Sequence, residues 1–493
     1  MKKILHFGLI SGFCLLAFHA SAQNRYLDEV FDDVEVQENV KYGENYSVVT
    51  GAPVLNDLLM DVYTPVGDTE GKRPLIILAH AGSYLPKGLN TLPFGDKTDS
   101  SMVEMCMQFA KRGWVAVSMD YRLGWNPLGT TQDERAGTIM QAVYRSAQDA
   151  RTLVRFFKND AANDNIYKVD TTKITVGGSN SGGYTALAAG YLNREEEINY
   201  FKFQDQTGAS FINQALWGGF NGEGGMTGYN NYSNPGHTSD IQLVLNLGGA
   251  IGDTLWMEDG TIPVVAFHGT HDVTTPYLTA VVIVLATGTP IVEVSGSFNI
   301  AQYANTLGLN QDFIDAGFDD PYTLAAQGQT PYEGLFLFKG PADGFEPWSW
   351  YNPDDPYIDN DTPYATGSGS KANPYASKAK ALTFIDTIMN YFCPRAVVAL
   401  DLWAVPLGQE NSLQPENLSI YPNPVTASVF IESNSTDPIL SVKLYNMLGQ
   451  LLREENDINA AEYTLHRGEI SSGFYLMNIR MRSGEQTRKI MFK

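Results

Sequence analysis

A glycine-rich segment at residues 177–183 is the strongest candidate for chemistry in this sequence of 493 residues. It reads Gly-Gly-Ser-Asn-Ser-Gly-Gly, follows a strand-like run and precedes a helix-like run. Small residues two positions before and after a reactive residue allow a sharp strand-to-helix turn that exposes its side chain. Gly178 and Gly182 flank Asn180 symmetrically, so the spacing predicts Asn180 at the apex. An amide has no ionisable hydroxyl to activate, so Asn180 cannot form an acyl-enzyme as a serine does.

Two serines beside Asn180 offer alternative nucleophiles. Ser181 lies two residues before Gly183, which is a tolerable spacing for a sharp turn. Ser179 lies two residues before Ser181 rather than before a glycine, which is a poorer spacing. Either serine would need a local rearrangement, because a shift of one residue turns the side chain away from the apex. Serine also caps helices and bonds to strand ends, and we expect that structural role for both.

Most of the chain, residues 42–395, alternates strand-like and helix-like segments. Residues 74–80 form a continuous apolar run, as buried parallel strands do, and residues 131–158 carry apolar side chains along one helical face. This alternation predicts an α/β fold, a mostly parallel sheet flanked by helices. Residues 58–63 alternate like an early edge strand. Residues 193–240 are rich in Gly, Asn and Tyr, and we expect a lid-like insertion there.

The end of the chain has a different pattern. Residues 396–417 contain Pro406, Gly408 and Pro415, as a linker would. Residues 418–493 contain short segments of alternating apolar and polar side chains, separated by turn signals. We therefore expect a small all-β sandwich domain after the α/β domain.

The N-terminus has the features of a signal peptide over residues 1–22, followed by a leader over residues 23–41. Lys2 and Lys3 precede a short apolar run, and small residues close the segment at Ala20-Ser21-Ala22. The apolar run is shorter than the roughly 20 residues that a membrane span needs. We expect no transmembrane segment after the signal is removed.

The net charge limits the possible partners. There are 33 Lys and Arg against 55 Asp and Glu, a formal charge of -22. A surface this acidic repels phosphate backbones and anionic lipid, so we expect no nucleic-acid partner.

The C-terminal region contains four motifs in order, Ile420–Pro424, Tyr445–Gln450, Gly473–Tyr475 and Lys489–Lys493. With these motifs the region resembles the type A sorting domain of the type IX secretion system, which is found in Bacteroidetes. The resemblance covers about residues 418–493. It implies export through the type IX machinery, with the protein secreted or held on the outer cell surface. The alternative for this region is an adhesive β-sandwich.

The central region contains a series of motifs in order, at residues 78–83, 119–122, 176–184, 247–253 and 268–272. With these motifs the region resembles secreted carboxylesterases of the α/β-hydrolase fold, over about residues 42–393. The family pattern also puts the nucleophile at Asn180. It assigns the acid to Asp272, for which the alternative is an Asx-turn role. It puts the oxyanion region at Ala81, Gly82 and Ser181, with Ala81 where the family commonly has Gly.

The resemblance also locates a catalytic base, and no histidine stands there. The family order is nucleophile, acid and then His. None of the seven histidines lies between Asp272 and Arg395. The family's base position corresponds to Phe345, just before Glu346, and an alignment shifted by one residue supplies no His either.

Metal and cofactor signals are weak. His268, His271 and Asp272 could suggest a metal site, but two of them are strand-end residues of the family pattern. The acidic loop at residues 354–361 could hold calcium, but it lacks the ligand periodicity of a calcium loop. We predict neither a metal nor a cofactor.

Two cysteines remain after signal removal, Cys106 and Cys393. In an oxidising compartment they could form one disulfide or stay as two buried thiols, and the residues alone leave both open. The hydrolase resemblance puts their helices on one face of the sheet, which makes Cys106–Cys393 a disulfide candidate.

These observations lead to one hypothesis and one rival. The first is an exported pseudo-hydrolase that binds a small-molecule or glycan-linked ligand without turning it over, because Asn180 and Phe345 replace the nucleophile and the base. The rival is an active carboxylesterase that hydrolyses small or carbohydrate-linked esters through Ser181 or Ser179. A structural or adhesive surface protein is a third and weaker possibility.

Overall fold

The computed structural model describes ten stretches of the chain. The expected signal peptide, Phe345, the acidic loop at 354–361 and most of the expected linker lie outside them. Within the described stretches, no helix is both long enough and apolar enough to cross a membrane. The stretches are residues 25–90, 94–258, 262–284, 287–339, 346–350, 377–402, 418–433, 437–446, 451–482 and 484–493.

An eight-stranded sheet organises the first domain. The strands of this domain are β1 (Val34–Ser47), β2 (Val54–Pro65), β3 (Arg73–Ala79), β4 (Val115–Met119), β5 (Val169–Ser179), β6 (Leu243–Leu247), β7 (Val264–Gly269), β8 (Thr279–Val284), β9 (Thr289–Ser295) and β10 (Leu335–Phe338). The order across the sheet is β1-β2-β4-β3-β5-β6-β7-β10, while β8 and β9 form a separate hairpin. The six neighbouring strands β4, β3, β5, β6, β7 and β10 run parallel. At one side of the sheet β1 pairs antiparallel with β2, and β2 pairs antiparallel with β4. The predicted α/β class is confirmed.

One strand position differs from the sequence expectation. Residues 58–63 lie within β2, which is second in the sheet rather than at its edge. The edge is β1, which begins at Val34 inside the expected leader and pairs along the length of β2. The sequence of β1 gives only a weak strand signal, because its side chains are mostly half-exposed or exposed.

Helices cover both faces of the sheet. Side chains alternate between the faces, so Ile77 of β3 joins one apolar cluster and Ile76 joins the other. Helices α2 and α3 pack on the Ile77 face, and α1 and α8 pack on the Ile76 face. The helices are α1 (Ser100–Lys111), α2 (Gln132–Ala162), α3 (Ser181–Tyr191), α4 (Gln214–Trp217), α5 (Ser297–Thr306), α6 (Gln311–Ala316), α7 (Pro321–Gln327) and α8 (Lys378–Ala399).

Residues 193–240 contain short helical turns, the four-residue helix α4 and one isolated β-bridge, and buried arginines of α2 contact this segment. Arg151 donates hydrogen bonds to the carbonyl oxygens of Leu192 and Phe220, at 2.6 and 2.7 Å. The guanidinium of Arg145 lies 4.8 Å from the ring centroid of Trp217. The segment is therefore packed on the first domain through its backbone as well as its side chains.

The second domain is all-β, as predicted. It has a three-stranded sheet in the order β11-β12-β15 and a four-stranded sheet in the order β14-β13-β16-β17. The two sheets enclose their own apolar core, which includes Val442, Met477 and Phe492. Its strands are β11 (Leu418–Tyr421), β12 (Ser428–Ser433), β13 (Ile439–Asn446), β14 (Leu451–Glu455), β15 (Glu462–His466), β16 (Gly473–Met481) and β17 (Gly484–Phe492).

The candidate disulfide is not formed. Cys106 of α1 and Cys393 of α8 lie in the same apolar cluster, but both are free thiols, at 0% and 1% exposed. Large rings fill the contact between the two helices, since the centroids of Phe109 and Phe392 are 5.7 Å apart. Burial raises the pKa of the Cys393 thiol to about 11 and that of Cys106 well above its ordinary value.

We expect both thiols of the mature protein to be unreactive until the protein unfolds. A chromogenic disulfide reagent such as DTNB should label neither cysteine in the native protein, because the thiols are buried and protonated. Denaturation without reductant should release two thiols, and Cys393→Ala should release one. If no thiol is titrated after denaturation of the wild type, a disulfide is present and the free-thiol structure is wrong.

Candidate functional site

The turn between β5 and α3 is a strained elbow with Asn180 at its apex. Asn180 has φ +48° and ψ -111°, a conformation that side-chain-bearing residues rarely adopt. The glycines beside it allow strand and helix to approach closely. A Cβ added at Gly182 would lie 2.0 Å from the carbonyl oxygen of Ala79, and one at Gly178 would lie 2.4 Å from Gly182. Neither position can carry a side chain, so the apex falls on Asn180, midway between the two glycines.

The side chain of Asn180 joins a hydrogen-bonded chain that ends at Asp272. Its Nδ2 donates to Thr274 Oγ1 at 3.0 Å and to Thr275 Oγ1 at 3.2 Å. Thr274 Oγ1 in turn donates to Asp272 Oδ1 at 2.7 Å. Asp272 also accepts the backbone N–H groups of Thr274 and Thr275. A threonine hydroxyl thus connects the apex residue to the acid that the sequence singled out.

The carboxyl of Asp272 is buried, with 3% of its side chain exposed. Burial raises its pKa, although its hydrogen bonds and the nearby His268 act in the opposite direction. His268 Nε2 lies 4.0 Å from Asp272 Oδ2, beyond hydrogen-bond distance, while its Nδ1 bonds to Ser297 Oγ at 2.9 Å. Burial lowers the pKa of His268, so this ring is neutral at neutral pH. His268 is therefore a core residue of β7.

Ser181 begins α3 and is 2% exposed. Its Oγ accepts the backbone N–H of Ser83 at 3.1 Å and bonds to Tyr121 Oη at 3.1 Å. Its carbonyl oxygen accepts the hydroxyl of Tyr84 at 2.7 Å. The Ser181 hydroxyl is thus directed to the loop after β3 rather than toward Asp272.

That loop contains the expected oxyanion region. Ala81 is 3% exposed, and Gly82 has φ +114°, where an added Cβ would lie 2.7 Å from the α-carbon of Gly95. Two residues that follow, Ser83 and Tyr84, also have positive φ, at +54° and +58°. A strained loop therefore faces a strained elbow across Ser181.

Ser179 bonds to residues that sequence reasoning did not assign to the site. Its Oγ lies 2.5 Å from Glu346 Oε1 and accepts the indole N–H of Trp348 at 2.8 Å. A Cβ added at Gly248 would lie 3.5 Å from the Trp348 ring and 3.7 Å from Asp272 Oδ2, so the indole reaches the acid's neighbourhood. The only sequence signal was that Glu346-Pro347-Trp348 directly follows the expected base position.

The electrostatics around Glu346 favour its neutral form. Glu346 is 3% exposed, and burial raises its pKa to about 8. Asp99 and Asp272 raise it further by charge repulsion, while hydrogen bonds from Ser179 and Ser349 oppose the shift. Glu346 therefore carries a proton at neutral pH, next to a serine that is not at the apex.

No group of three His, Cys, Asp or Glu side chains in the described residues is arranged to hold a metal ion. The acidic loop at 354–361 is not among them. The described part of the site holds hydrogen-bonding groups and buried carboxyls, which suit proton transfer and polar recognition.

Two family models match the chain. Residues 60–284 match the BD-FAE model, and residues 419–493 match the secretion system C-terminal sorting domain. A search of curated proteins found no match.

Solved structures similar to this chain include several forms of esterase 2 from Thermogutta terrifontis. The native form is 16% identical, covers 76% of this chain and 95% of its own, and gives a TM-score of 0.36. The propionate-bound form is 16% identical, with coverage of 72% and 93% and a TM-score of 0.35. The form phosphorylated by paraoxon is 16% identical, with coverage of 66% and 89% and a TM-score of 0.34.

The chain thus has an esterase-like α/β-hydrolase domain followed by a C-terminal sorting domain. The sorting domain implies the type IX secretion machinery as a partner. The protein is therefore exported, either secreted or placed on the cell surface.

We expect Gly182→Ala to lower the free energy of unfolding by about 3 kcal/mol, because its Cβ would collide with backbone that cannot move without opening the sheet. Gly328→Ala is the matched control, since Gly328 has an ordinary φ of -71° and only contacts of 3.5 Å or more around the added Cβ. Urea unfolding of both variants measures the difference. Equal stabilities would contradict the close packing of the elbow.

Glu346 should make stability fall as pH rises. The folded protein keeps its proton up to about pH 8, whereas an unfolded glutamate loses it near its ordinary value of 4.5. Between these values the unfolded state binds fewer protons, so the free energy of unfolding decreases as pH rises. Glu346→Gln, which stays neutral, should lose this dependence. The exposed control Glu195→Gln should keep it, and parallel pH profiles for all three proteins would refute the buried acid.

Proposed function

We propose that the exported esterase-like domain binds a small-molecule or glycan-linked ligand at the elbow edge of its sheet and does not hydrolyse it. One observation carries this proposal. The elbow apex, where the fold presents a nucleophile, holds the amide of Asn180 in the strained conformation of φ +48° and ψ -111°. An amide at that position cannot form an acyl-enzyme.

The hydrogen bonds of the two neighbouring serines support this proposal. Ser181 Oγ accepts the Ser83 N–H and bonds to Tyr121. This hydroxyl therefore has a structural role, in which it links the start of α3 to the loop after β3. Ser179 Oγ is held between Glu346 and Trp348 and is 1% exposed. Each hydroxyl would have to break these bonds and move before it could attack a bound ester.

The residue between apex and acid supports it as well. In a catalytic triad an imidazole connects the acid to the nucleophile and takes the nucleophile's proton. Here Thr274 Oγ1 connects Asn180 to Asp272, with distances of 3.0 and 2.7 Å. A threonine hydroxyl does not act as a base near neutral pH, so this bridge positions side chains without activating one.

Backbone strain argues that the site still has a use. Ser83, Tyr84, Asn180 and Glu346 all have positive φ, between +48° and +58°. Each such residue costs about 1–3 kcal/mol and persists where the surrounding structure enforces it, commonly at binding sites. These four residues all bond to the elbow or belong to it, which supports a retained recognition function.

The proposal predicts that ester hydrolysis does not depend on a serine hydroxyl. With p-nitrophenyl esters of several acyl lengths, the mature protein should react no faster than its Ser179→Ala/Ser181→Ala double variant. Any residual rate should stay within about a thousand-fold of the uncatalysed reaction, as expected for a site without a working triad. A wild-type rate well above that of the double variant would contradict the proposal.

Binding is tested separately with the same compounds. Saturation-transfer NMR with p-nitrophenyl acetate and with acetylated disaccharides should give signals that Asn180→Leu reduces. The exposed substitution Leu324→Ala, on α7, is the control and should leave them unchanged. Equal signals from all three proteins would place any binding outside the elbow.

A specific contact favours a second candidate, ester hydrolysis through Ser179. Glu346 lies 2.5 Å from Ser179 Oγ and could act as its base once it is ionised. Activity by this route should rise with pH near the pKa of Glu346, about 8, and disappear in both Ser179→Ala and Glu346→Gln. Loss in Ser179→Ala alone, with no pH-dependent rise, would exclude Glu346 as the base.

A further inference from the structure

The backbone of Asn180 has the geometry of an intramolecular ring closure. Its φ of +48° and ψ of -111° are those of the second residue of a type II′ turn. At this ψ, Cβ of Asn180 and the backbone nitrogen of Ser181 are nearly eclipsed about the Cα–C bond. Four of the five atoms of a succinimide ring are therefore almost coplanar before any reaction. Rotation of the Asn180 side chain is the motion left to bring Cγ to that nitrogen.

The attacking nitrogen is favourably placed. Ser181 is the first residue of α3, and the first N–H groups of a helix have no partner within the helix. The helix dipole also favours negative charge at this end, which helps a backbone nitrogen to lose its proton. The elbow thus combines an available Ser181 N–H with a backbone conformation that places this nitrogen on the same side as the Asn180 side chain.

The leaving group has a route to a proton. Asn180 Nδ2 is hydrogen-bonded to Thr274 Oγ1, and Thr274 Oγ1 is hydrogen-bonded to Asp272 Oδ1. Because the Asp272 carboxyl is buried, its protonated form is favoured over that of an exposed aspartate. In the resting structure both hydrogen bonds run toward Asp272, from Nδ2 to Thr274 Oγ1 and from Thr274 Oγ1 to Asp272 Oδ1. When the tetrahedral intermediate forms, Nδ2 gains a lone pair and becomes an acceptor, so both bonds reverse. A protonated Asp272 then donates to Thr274 Oγ1, and the threonine hydroxyl donates to the departing nitrogen.

From these contacts we propose that Asn180 is a self-modification site that converts its amide into a carboxylate. The Ser181 nitrogen forms a bond to Cγ of Asn180 and gives up its proton to water. The bond from Cγ to Nδ2 breaks, and Nδ2 leaves as ammonia with a proton delivered through Thr274. Water then opens the succinimide, which leaves aspartate or isoaspartate at position 180. Overall one water is consumed and one ammonia is released.

The modification would change what the elbow can do. A carboxylate oxygen at the apex, unlike an amide, is a nucleophile capable of forming covalent intermediates. The inference goes beyond the proposed function, since a protein that binds without hydrolysing could carry either side chain. Failure of one proposal therefore leaves the other standing.

Asn221 is an internal control, because Asn-Gly is the sequence that cyclises most readily in an unfolded chain. In the folded protein the Gly222 N–H donates to the carbonyl oxygen of Gly219 at 2.9 Å, so this nitrogen is not available. Asn221 Oδ1 is also held by Ser239 Oγ at 2.5 Å. Folding should therefore slow cyclisation at Asn221 and speed it at Asn180.

Peptide mass spectrometry of the full mature protein tests the proposal. Samples are incubated at neutral pH, native or in urea, and conversion at positions 180 and 221 is followed with time. We expect Asn180 to convert at least about tenfold faster in the native protein than in urea, with the opposite order at Asn221. Hydroxylamine should cleave the native chain between residues 180 and 181, where it traps the succinimide. Conversion at Asn180 that is absent, or no faster than in urea, overturns the proposal.

Variants separate the relay from the backbone geometry. Thr274→Val removes the hydroxyl but keeps the side-chain size, and it should slow native conversion at position 180 by about tenfold. Asn180→Gln should stop it, because its longer side chain cannot close the five-membered ring. Circular dichroism and urea midpoints check that both variants fold. Unchanged conversion in a folded Thr274→Val protein would refute the proton relay.

Discussion

The close approach of α3 to the carboxyl end of β3 is the constraint on which the rest of the site depends. Gly182 brings the helix backbone to within a distance at which a Cβ would lie 2.0 Å from the carbonyl oxygen of Ala79. That contact forces a turn too sharp for ordinary dihedral angles, and the strain falls on Asn180. The parallel strands on either side then fix where neighbouring loops can reach the apex. Side chains at positions 178 and 182 would prevent this turn. Asn180 and Ser179 would then not be placed to bond to Thr274 and Glu346.

Buried carboxyls give the site an electrostatic character unlike that of a working triad. Burial raises the pKa values of Asp99, Asp272 and Glu346, to about 7 for Asp99 and about 8 for Glu346. A triad needs an ionised acid beside an imidazole that becomes positively charged. Here Asp272 instead accepts a threonine hydroxyl and two backbone N–H groups, and Glu346 accepts the hydroxyls of Ser179 and Ser349. These donors oppose the effect of burial on both pKa values, and no imidazole bonds to either acid among the described residues. The same surroundings are suited to holding a polar ligand and to moving a proton between side chains.

The esterase-like domain and the sorting domain have separate cores, so each can be understood in its own terms. The apolar residues of the sorting domain pack with one another across its two sheets. The two domains touch where the start of β16 meets α6. Gly473 lies against Ala316 and Gly317, and the Phe474 side chain packs against an apolar cluster of the first domain.

The sequence alone determined the fold class and the location of the strained turn, because both depend on local patterns. Apolar periodicity predicts which segments are strands and helices, and two glycines four residues apart leave one position for the apex. Tertiary structure decided the partners of that apex. Glu346 meets Ser179 across 167 residues, and Thr274 meets Asn180 across 94. It also decided that Cys106 and Cys393 remain free, and that β1 covers the edge of β2. Such pairings depend on how strands and loops are arranged in space, and no spacing along the chain encodes them.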